Sequence, residues 1–137
     1  MMTESILKAK SFRFAVRVVN LYKYLCEEKK EFVLSKQILR SGTSIGAMVR
    51  EAEHSESKAD FVHKLAIAQK EINETIYWLE LLQTTEYISD KEFESINDDA
   101  VEVIKMITAS IKTAKKSLTT NRLSLTTKKD ENKGTRY

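Results

Sequence analysis

The chain contains no proline, three glycines and one cysteine in 137 residues. Because proline and glycine are the strongest helix breakers, their scarcity favours long uninterrupted helices. The single Cys26 excludes an intramolecular disulfide and is typical of a reducing compartment, so we expect a cytoplasmic protein. No alternating strand pattern of useful length occurs. The sequence therefore predicts an all-α fold.

Long apolar runs are also missing from the sequence. The N-terminal stretch MMTESILKAKSF lacks the continuous apolar segment of a signal peptide. No run approaches the roughly 18 apolar residues that a membrane-spanning helix needs. We therefore expect no membrane partner, and a chain of this length fits one domain with a core of its own.

What the chain does contain is helical periodicity. Apolar residues recur in steps of three and four, which predicts helices over about residues 4–28, 36–54, 58–85 and 90–118. Long helices with short connections favour antiparallel neighbours, so residues 1–118 are predicted to form an up-down-up-down antiparallel four-helix bundle. Beyond Leu118 the periodicity stops, and residues 119–137 are predicted to be a basic, disordered tail.

Serines mark three predicted helix starts. Ser35 is the expected N-cap of the second helix. Ser57 with Asp60, and Ser89 with Glu92, have the spacing of a capping box, in which a hydroxyl and an acid satisfy two backbone N–H groups.

The second helix, within Leu34–His54, has an unusual centre. Its apolar steps are those of a buried helix, yet its middle contains Gly42 and Gly46. Each glycine costs about 1 kcal/mol relative to alanine inside a helix. A helix that tolerates this cost usually gains close backbone approach, so we expect a neighbouring helix to pack tightly here.

The first helix carries two apolar stripes side by side. One consists of Phe14, Val18, Leu21 and Leu25, and the other of Phe12, Ala15, Val19 and Tyr22. Together they are wider than one core seam requires. Two interpretations stay open: the helix is deeply buried, or the second stripe contacts another subunit.

Charge is distributed unevenly along the chain. Residues 1–25 carry a net charge of +4, residues 26–102 of −8 and residues 103–137 of +7. In the predicted bundle the first helix starts, and the fourth ends, at the same end, so their cations are expected to meet. Such cations can neutralise nucleic-acid phosphates without sequence preference. The candidate nucleic-acid-binding residues are Lys8, Lys10, Arg13, Arg17, Lys112, Lys115 and Lys116, with Arg40 and Arg50 added if exposed.

Two observations weigh against this interpretation. Lysine and arginine on helices usually form a solvated surface, and lysine near a helix C-terminus already suits the helix dipole. The turn between the second and third helices lies at the same end, and its acids would neutralise the cations or pair with them; they are Glu51, Glu53, Glu56 and Asp60.

Metal and catalytic sites are not predicted. Glu51 with His54 has the Glu-x-x-His spacing of di-iron bundles, and Asp60 with His63 repeats it with Asp. Both pairs flank a turn rather than the middle of the bundle, so surface histidines are the better interpretation. Cys26 lies at the other end from both histidines, and no glycine-rich phosphate loop follows a strand. We expect no cofactor and no enzymatic activity.

Two segments of the sequence resemble a known family. They are QILRSGTSIGAMVREA (Gln37–Ala52) and SKADFVHKLAIA (Ser57–Ala68). They are similar to the four-helix bundle family that includes proteins encoded in intervening sequences of bacterial large-subunit ribosomal RNA genes. The residues that fit the family pattern are Arg40, Ser44, Ile45, Ala47, Glu51, Phe61, Leu65 and Ala68. Two residues depart from the pattern. Met48 stands where asparagine is common, and His54 stands near the position where many members have a glycine-rich exit from the helix.

The resemblance implies a ring-like homopentamer. A related group, the accessory proteins of diversity-generating retroelements, binds nucleic acid through a basic surface and partners a reverse transcriptase. We therefore expect a non-enzymatic, oligomeric helical bundle that binds RNA or DNA through its basic end. The alternative is a protein–protein scaffold or adaptor that binds no nucleic acid.

Overall fold

The structure, a computed structural model, describes the backbone of residues 2–134 and the side chains of residues 6–119. Four helices and no strand occur in this part of the chain: α1 (Met2–Glu27), α2 (Leu34–Glu53), α3 (Lys58–Thr84) and α4 (Asp90–Gly134). The predicted all-α class is confirmed. The ends of α1, α2 and α3 lie within two residues of the predicted bounds.

The fourth helix ends later than predicted. It continues to Gly134, whereas the sequence predicts an end at Leu118 and a disordered tail over residues 119–137. No proline occurs there, and no glycine precedes Gly134, so nothing in the sequence stops the helix earlier. Lost apolar periodicity ends the packing of a helix but does not by itself end the helix. The side chains of residues 120–134, and all of residues 135–137, lie outside the described residues.

The helices contact one another in a ring. Among the described residues α1 packs on α2, α2 on α3, α3 on α4 and α4 on α1, without a diagonal contact. The contacts between α1 and α4 run in opposite chain directions, because Lys10 contacts Glu102 while Arg17 contacts Asp99 and Ser95. This arrangement agrees with an up-down-up-down bundle.

The core consists of apolar residues at the predicted steps of three and four. In α1 the buried residues of the predicted stripe are Phe14, Val18 and Leu25, and Ile38 and Ile45 are fully buried in α2. The corresponding residues of α3 and α4 are Leu65, Ala68, Ile72, Leu79, Leu82, Ile96, Ala100, Val103 and Ile107. These stripes confirm that steps of three and four identify the buried side of each helix.

Close approach of α1 to α2 occurs at Gly42, as its sequence context predicts. A Cβ atom added to Gly42 would lie 2.7 Å from both methyl groups of Val18. Gly46 is less crowded, because an added Cβ would lie 3.5 Å from the backbone oxygen of Ser11, an ordinary contact. Only Gly42 is therefore required by the packing of α1.

The start of α2 is capped by Glu31 and not by Ser35. Glu31 Oε1 accepts hydrogen bonds from the N–H groups of Val33 (2.9 Å) and Leu34 (2.8 Å). Its Oε2 accepts from the N–H of Ser35 at 2.7 Å. Burial raises the pKa of Glu31, but the hydrogen bonds from Leu34, Val33 and Ser35 outweigh burial and hold that pKa below its usual value. The predicted Ser35 cap is wrong, because Ser35 already lies in the first helical turn and is buried.

The hydroxyl cap at Ser57 and the full capping box at Ser89 are confirmed, while among the described residues Asp60 does not return the second bond of a capping box. Ser57 Oγ accepts a hydrogen bond from the N–H of Asp60 at 3.1 Å. At α4 the capping box is complete, since Glu92 N–H donates to Ser89 Oγ (3.1 Å) and Ser89 N–H donates to Glu92 Oε1 (2.9 Å). The hydrogen bonds to Ser89 lower the pKa of Glu92.

The second stripe of α1 is not deeply buried in the single chain. Phe12 is 55% exposed, and Ala15, Val19 and Tyr22 are half-buried. Val16, one turn after Phe12, is also exposed. In the described residues, no helix is both long and apolar enough to cross a membrane.

Candidate nucleic-acid interface

The cations of α1 that face α4 are held by acidic and polar groups. Lys10 Nζ forms an ion pair with Glu102. Arg17 Nη1 lies 2.7 Å from Asp99 Oδ2 and donates to the backbone oxygen of Ser95 at 3.0 Å, while Nη2 donates to Ser95 Oγ at 2.9 Å. These contacts attach α1 to α4, so neither cation is fully available to an outside anion.

Lys8 has an acidic partner, whereas Arg13 has none among the described residues. Lys8 Nζ lies 3.6 Å from Glu53 Oε2, at the end of α2. Arg13 is exposed and has no hydrogen bond or ion pair with any described residue. The expected pairing between acids of the α2–α3 turn and the basic end therefore occurs, through Glu53, but it does not involve Arg13.

The cations near the end of α4 do not lie beside those of α1. Lys112, Lys115 and Lys116 are exposed. The partner of Lys10 is Glu102, and ten residues of helix, about 15 Å, separate Glu102 from Lys112. The part of α4 around Ser117 lies instead beside the start of α3, where Lys58 Nζ contacts Ser117 Oγ. The predicted meeting of the two cationic groups is therefore corrected, because α4 extends past the start of α1.

Arg50 of α2 contacts an exposed ring of α1. Its guanidinium carbon lies 5.2 Å from the centroid of the Phe12 ring, a cation–π distance. Both Arg50 and Phe12 are exposed. The sequence marks Arg50 as an addition if exposed but gives no sign of its contact with Phe12, because that contact depends on how α1 and α2 are aligned.

Arg40 contacts α3 instead of facing an open surface. It forms ion pairs with Glu74 and with Glu71, the latter at 3.3 Å. The hydrogen bond to Glu74 raises the pKa of the Arg40 guanidinium. Beside it, the buried hydroxyls of Ser41 and Thr75 are hydrogen-bonded at 2.9 Å. These groups hold α2 against α3, so the family-pattern residue Arg40 has a structural role here.

The Glu51/His54 and Asp60/His63 pairs are separate surface features. Glu51 Oε1 lies 3.3 Å from Lys64 Nζ, and His54 and His63 are exposed. Within the described residues, no three or more His, Cys, Asp or Glu side chains form a group that could hold a metal ion. Cys26 Sγ lies 3.7 Å from Ser35 Oγ and from the backbone oxygen of Glu31.

An open groove of about 860 Å³ lies between the α2–α3 turn and residues 109–117 of α4. Its α4 wall consists of small or hydroxyl side chains: Ala109, Ser110, Thr113, Ala114 and Ser117. Glu53, Glu56 and Lys58 supply its charged groups, while neither histidine nor Cys26 lines it. The groove therefore brings no nucleophile together with a histidine base.

Comparison with known proteins matches most of the chain. The family model described as 23S rRNA-intervening sequence protein matches residues 3–109, which include Phe12, Arg13 and Arg50 but not Lys112. A similar solved structure is a protein with unknown function from the S23 ribosomal protein family of Bacteroides thetaiotaomicron VPI-5482. It is 61% identical, with a TM-score of 0.80, covering 80% of this chain and 98% of that chain. No curated protein matches the sequence.

Proposed function

The chain belongs to the 23S rRNA-intervening sequence protein family, and we propose that it is a non-enzymatic, oligomeric helical protein that binds RNA or DNA. One observation carries this proposal. Arg13 and Arg50 are exposed and have no carboxylate partner among the described residues. We also infer a cytoplasmic location, which the single cysteine supports.

Phosphate contacts provide the binding energy in this proposal. Arg13 of α1 and Arg50 of α2 neutralise phosphates, and Lys112 and Lys115 add contacts from α4. Each neutralised phosphate releases condensed counterions, so the affinity depends strongly on salt and weakly on sequence. Lys10 and Arg17 contribute less, because they are already paired with α4.

Exposed apolar side chains support an oligomer. Phe32 is 53% exposed and Val33 is 71% exposed, both in the connection between α1 and α2. Adjacent exposed apolar residues of this size favour contact with another protein surface. We assign this connection to contact between copies, and the family resemblance implies five of them.

The same exposed residues support a second candidate function. If Phe32 and Val33 contact a different protein, the chain is a scaffold or adaptor and its cations serve only solubility. Nucleic-acid binding then fails, while the partner contact persists.

Fluorescence anisotropy with labelled RNA and DNA over a salt series tests the proposal. We expect the logarithm of the binding constant to fall linearly with the logarithm of salt concentration. The double variant Arg13→Glu/Lys115→Glu should weaken binding at low salt by about 10-fold or more, because reversed charges repel phosphates.

The matched control is Lys36→Glu/Lys91→Glu. Both of its lysines are exposed, and it changes the net charge by the same amount. The proposal predicts a much smaller loss for this control, with the oligomer retained in both variants by light scattering. Equal losses in the two variants, or no binding by the unchanged protein at low salt, contradict it.

A further inference from the structure

Two aromatic side chains are equally exposed but differ in their charged surroundings. Phe12 is 55% exposed and Tyr77 is 56% exposed. The stretch of α1 from residue 5 to residue 26 carries five Lys or Arg residues and no acid. Residues 71–90, around Tyr77, carry four Glu and one Asp and no Lys or Arg. An anionic ligand is therefore favoured at Phe12 and disfavoured at Tyr77.

The surroundings of Phe12 suit a flat, anionic polymer. Arg50 lies over the ring at 5.2 Å. The exposed Arg13 is the next residue of α1, about 100° around the helix from Phe12. The nearby acid Glu53 is engaged by Lys8 at 3.6 Å. Aromatic rings and guanidinium planes are the groups on which unstacked bases lie in protein complexes with single-stranded nucleic acid.

We propose that Phe12 and Arg50 form a stacking site for an unpaired base of single-stranded RNA or DNA, with Arg13 on an adjacent phosphate. This inference rests on the proposed function and adds the strand type that the site selects. A duplex keeps its bases stacked on one another, so it offers phosphates to Arg13 but no base face to Phe12.

A symmetric contact between two copies is a weaker explanation of the exposed ring. Such a contact places the same surface on both subunits, so Arg13 and Arg50 of one copy would approach those of the other. Juxtaposed like charges are unfavourable at an interface. A head-to-tail contact, in which the Phe12 surface meets the acidic Tyr77 surface of the next copy, avoids this repulsion and is an outcome of the test below.

The test compares Phe12→Ala with Tyr77→Ala, two truncations of equally exposed rings. Binding is measured with a single-stranded oligouridylate and with a duplex of equal length. Phe12→Ala should weaken single-strand binding by about 5- to 150-fold, the range that loss of one base–aromatic stack produces. Duplex binding and the salt dependence should stay unchanged, because no charge is removed. Tyr77→Ala should leave both affinities unchanged.

A fluorescence experiment detects stacking directly. Trp78 is the single tryptophan, so Phe12→Trp in a Trp78→Phe background places the only indole at the site. Its emission should be quenched by the oligouridylate and not by the duplex, whereas Tyr77→Trp in the same background should show no quenching. Equal loss of single-strand and duplex binding in Phe12→Ala overturns the stacking site.

The outcomes separate this inference from the proposed function. If the unchanged protein binds neither probe at low salt, the proposed function and the stacking site both fail. If it binds and Phe12→Ala binds equally well, only the stacking site fails. If both Phe12→Ala and Tyr77→Ala dissociate the oligomer in light scattering, the next copy covers Phe12 and the stacking site is overturned.

Discussion

Phe12 and Phe14 are two residues apart on α1 and lie on opposite sides of it. Phe14 is 1% exposed and belongs to the core, whereas Phe12 is 55% exposed. The arginines that follow these two rings also differ, in whether they have a partner. Arg17 is held by Asp99 and Ser95, while Arg13 has no hydrogen bond or ion pair within the described residues.

The difference separates structural from functional uses of the same residue types. Phe14 is buried, and the Arg17 guanidinium joins α1 to α4. Phe12 is exposed and contacts Arg50, while Arg13, one turn before Arg17 on the same face of α1, joins no helices. Residue composition therefore does not reveal the use of a cation on a helix, whereas its partners in the fold do.

The largest effect should come from truncating the buried ring. Phe14→Ala should lower the free energy of unfolding by about 3–5 kcal/mol, because it leaves a cavity in the core. Phe12→Ala should change it by less than about 0.5 kcal/mol, as exposed positions do. Urea denaturation measures both values. A similar loss in the two variants would mean that another surface covers Phe12, which would break the comparison.

A smaller effect should come from the contact of α1 with α2. Gly42→Ala should lower the free energy of unfolding by about 1–2 kcal/mol, since its Cβ would overlap the buried Val18 side chain. Gly46→Ala, with an ordinary contact, should raise it by up to about 1 kcal/mol through better helix propensity. Thermal denaturation followed by circular dichroism measures the two shifts.

The double variant Gly42→Ala/Val18→Ala tests whether overlap with Val18 causes the loss of stability. Removing the Val18 methyl groups removes the overlap, so the two substitutions together should cost less than the sum of their separate effects. Strict additivity would show that crowding against Val18 is not the reason for glycine at position 42.

The parts of the fold that depend on local sequence could be predicted. Burial follows a fixed helical period, so Phe14, Val18 and Leu25 are identifiable without a structure. The Ser57 cap and the capping box at Ser89 are local as well, because donor and acceptor are three residues apart. The cost of glycine inside a helix predicts close packing at Gly42 and Gly46 alike, and only the structure shows that Gly42 alone is crowded.

The parts that depend on how helices are aligned could not be predicted. The ion pair of Arg17 with Asp99 joins residues far apart in the chain, and no short-range pattern encodes it. The sequence also does not give the axial position of α4 relative to α1, and for this reason the expectation that their cations meet was wrong. Contact of Arg50 with Phe12 likewise requires the axial positions of α1 and α2.

The smallest effect concerns Arg13 and Arg17, and it tests the central claim most directly. That claim is that cations of α1 without a carboxylate partner contact nucleic acid, while the paired cations hold the bundle together. The measurement is the slope of log binding constant against log salt for a single-stranded oligonucleotide, taken with Arg13→Gln and Arg17→Gln. Each lost phosphate contact reduces the slope by about 0.7 on single strands.

Arg13→Gln should reduce the slope by about 0.7 and leave the free energy of unfolding unchanged. Arg17→Gln should leave the slope unchanged and lower the free energy of unfolding by about 0.2–1 kcal/mol, the range for a partly exposed ion pair. Equal slopes for Arg13→Gln and the unchanged protein, or the same reduction in both variants, would contradict the account.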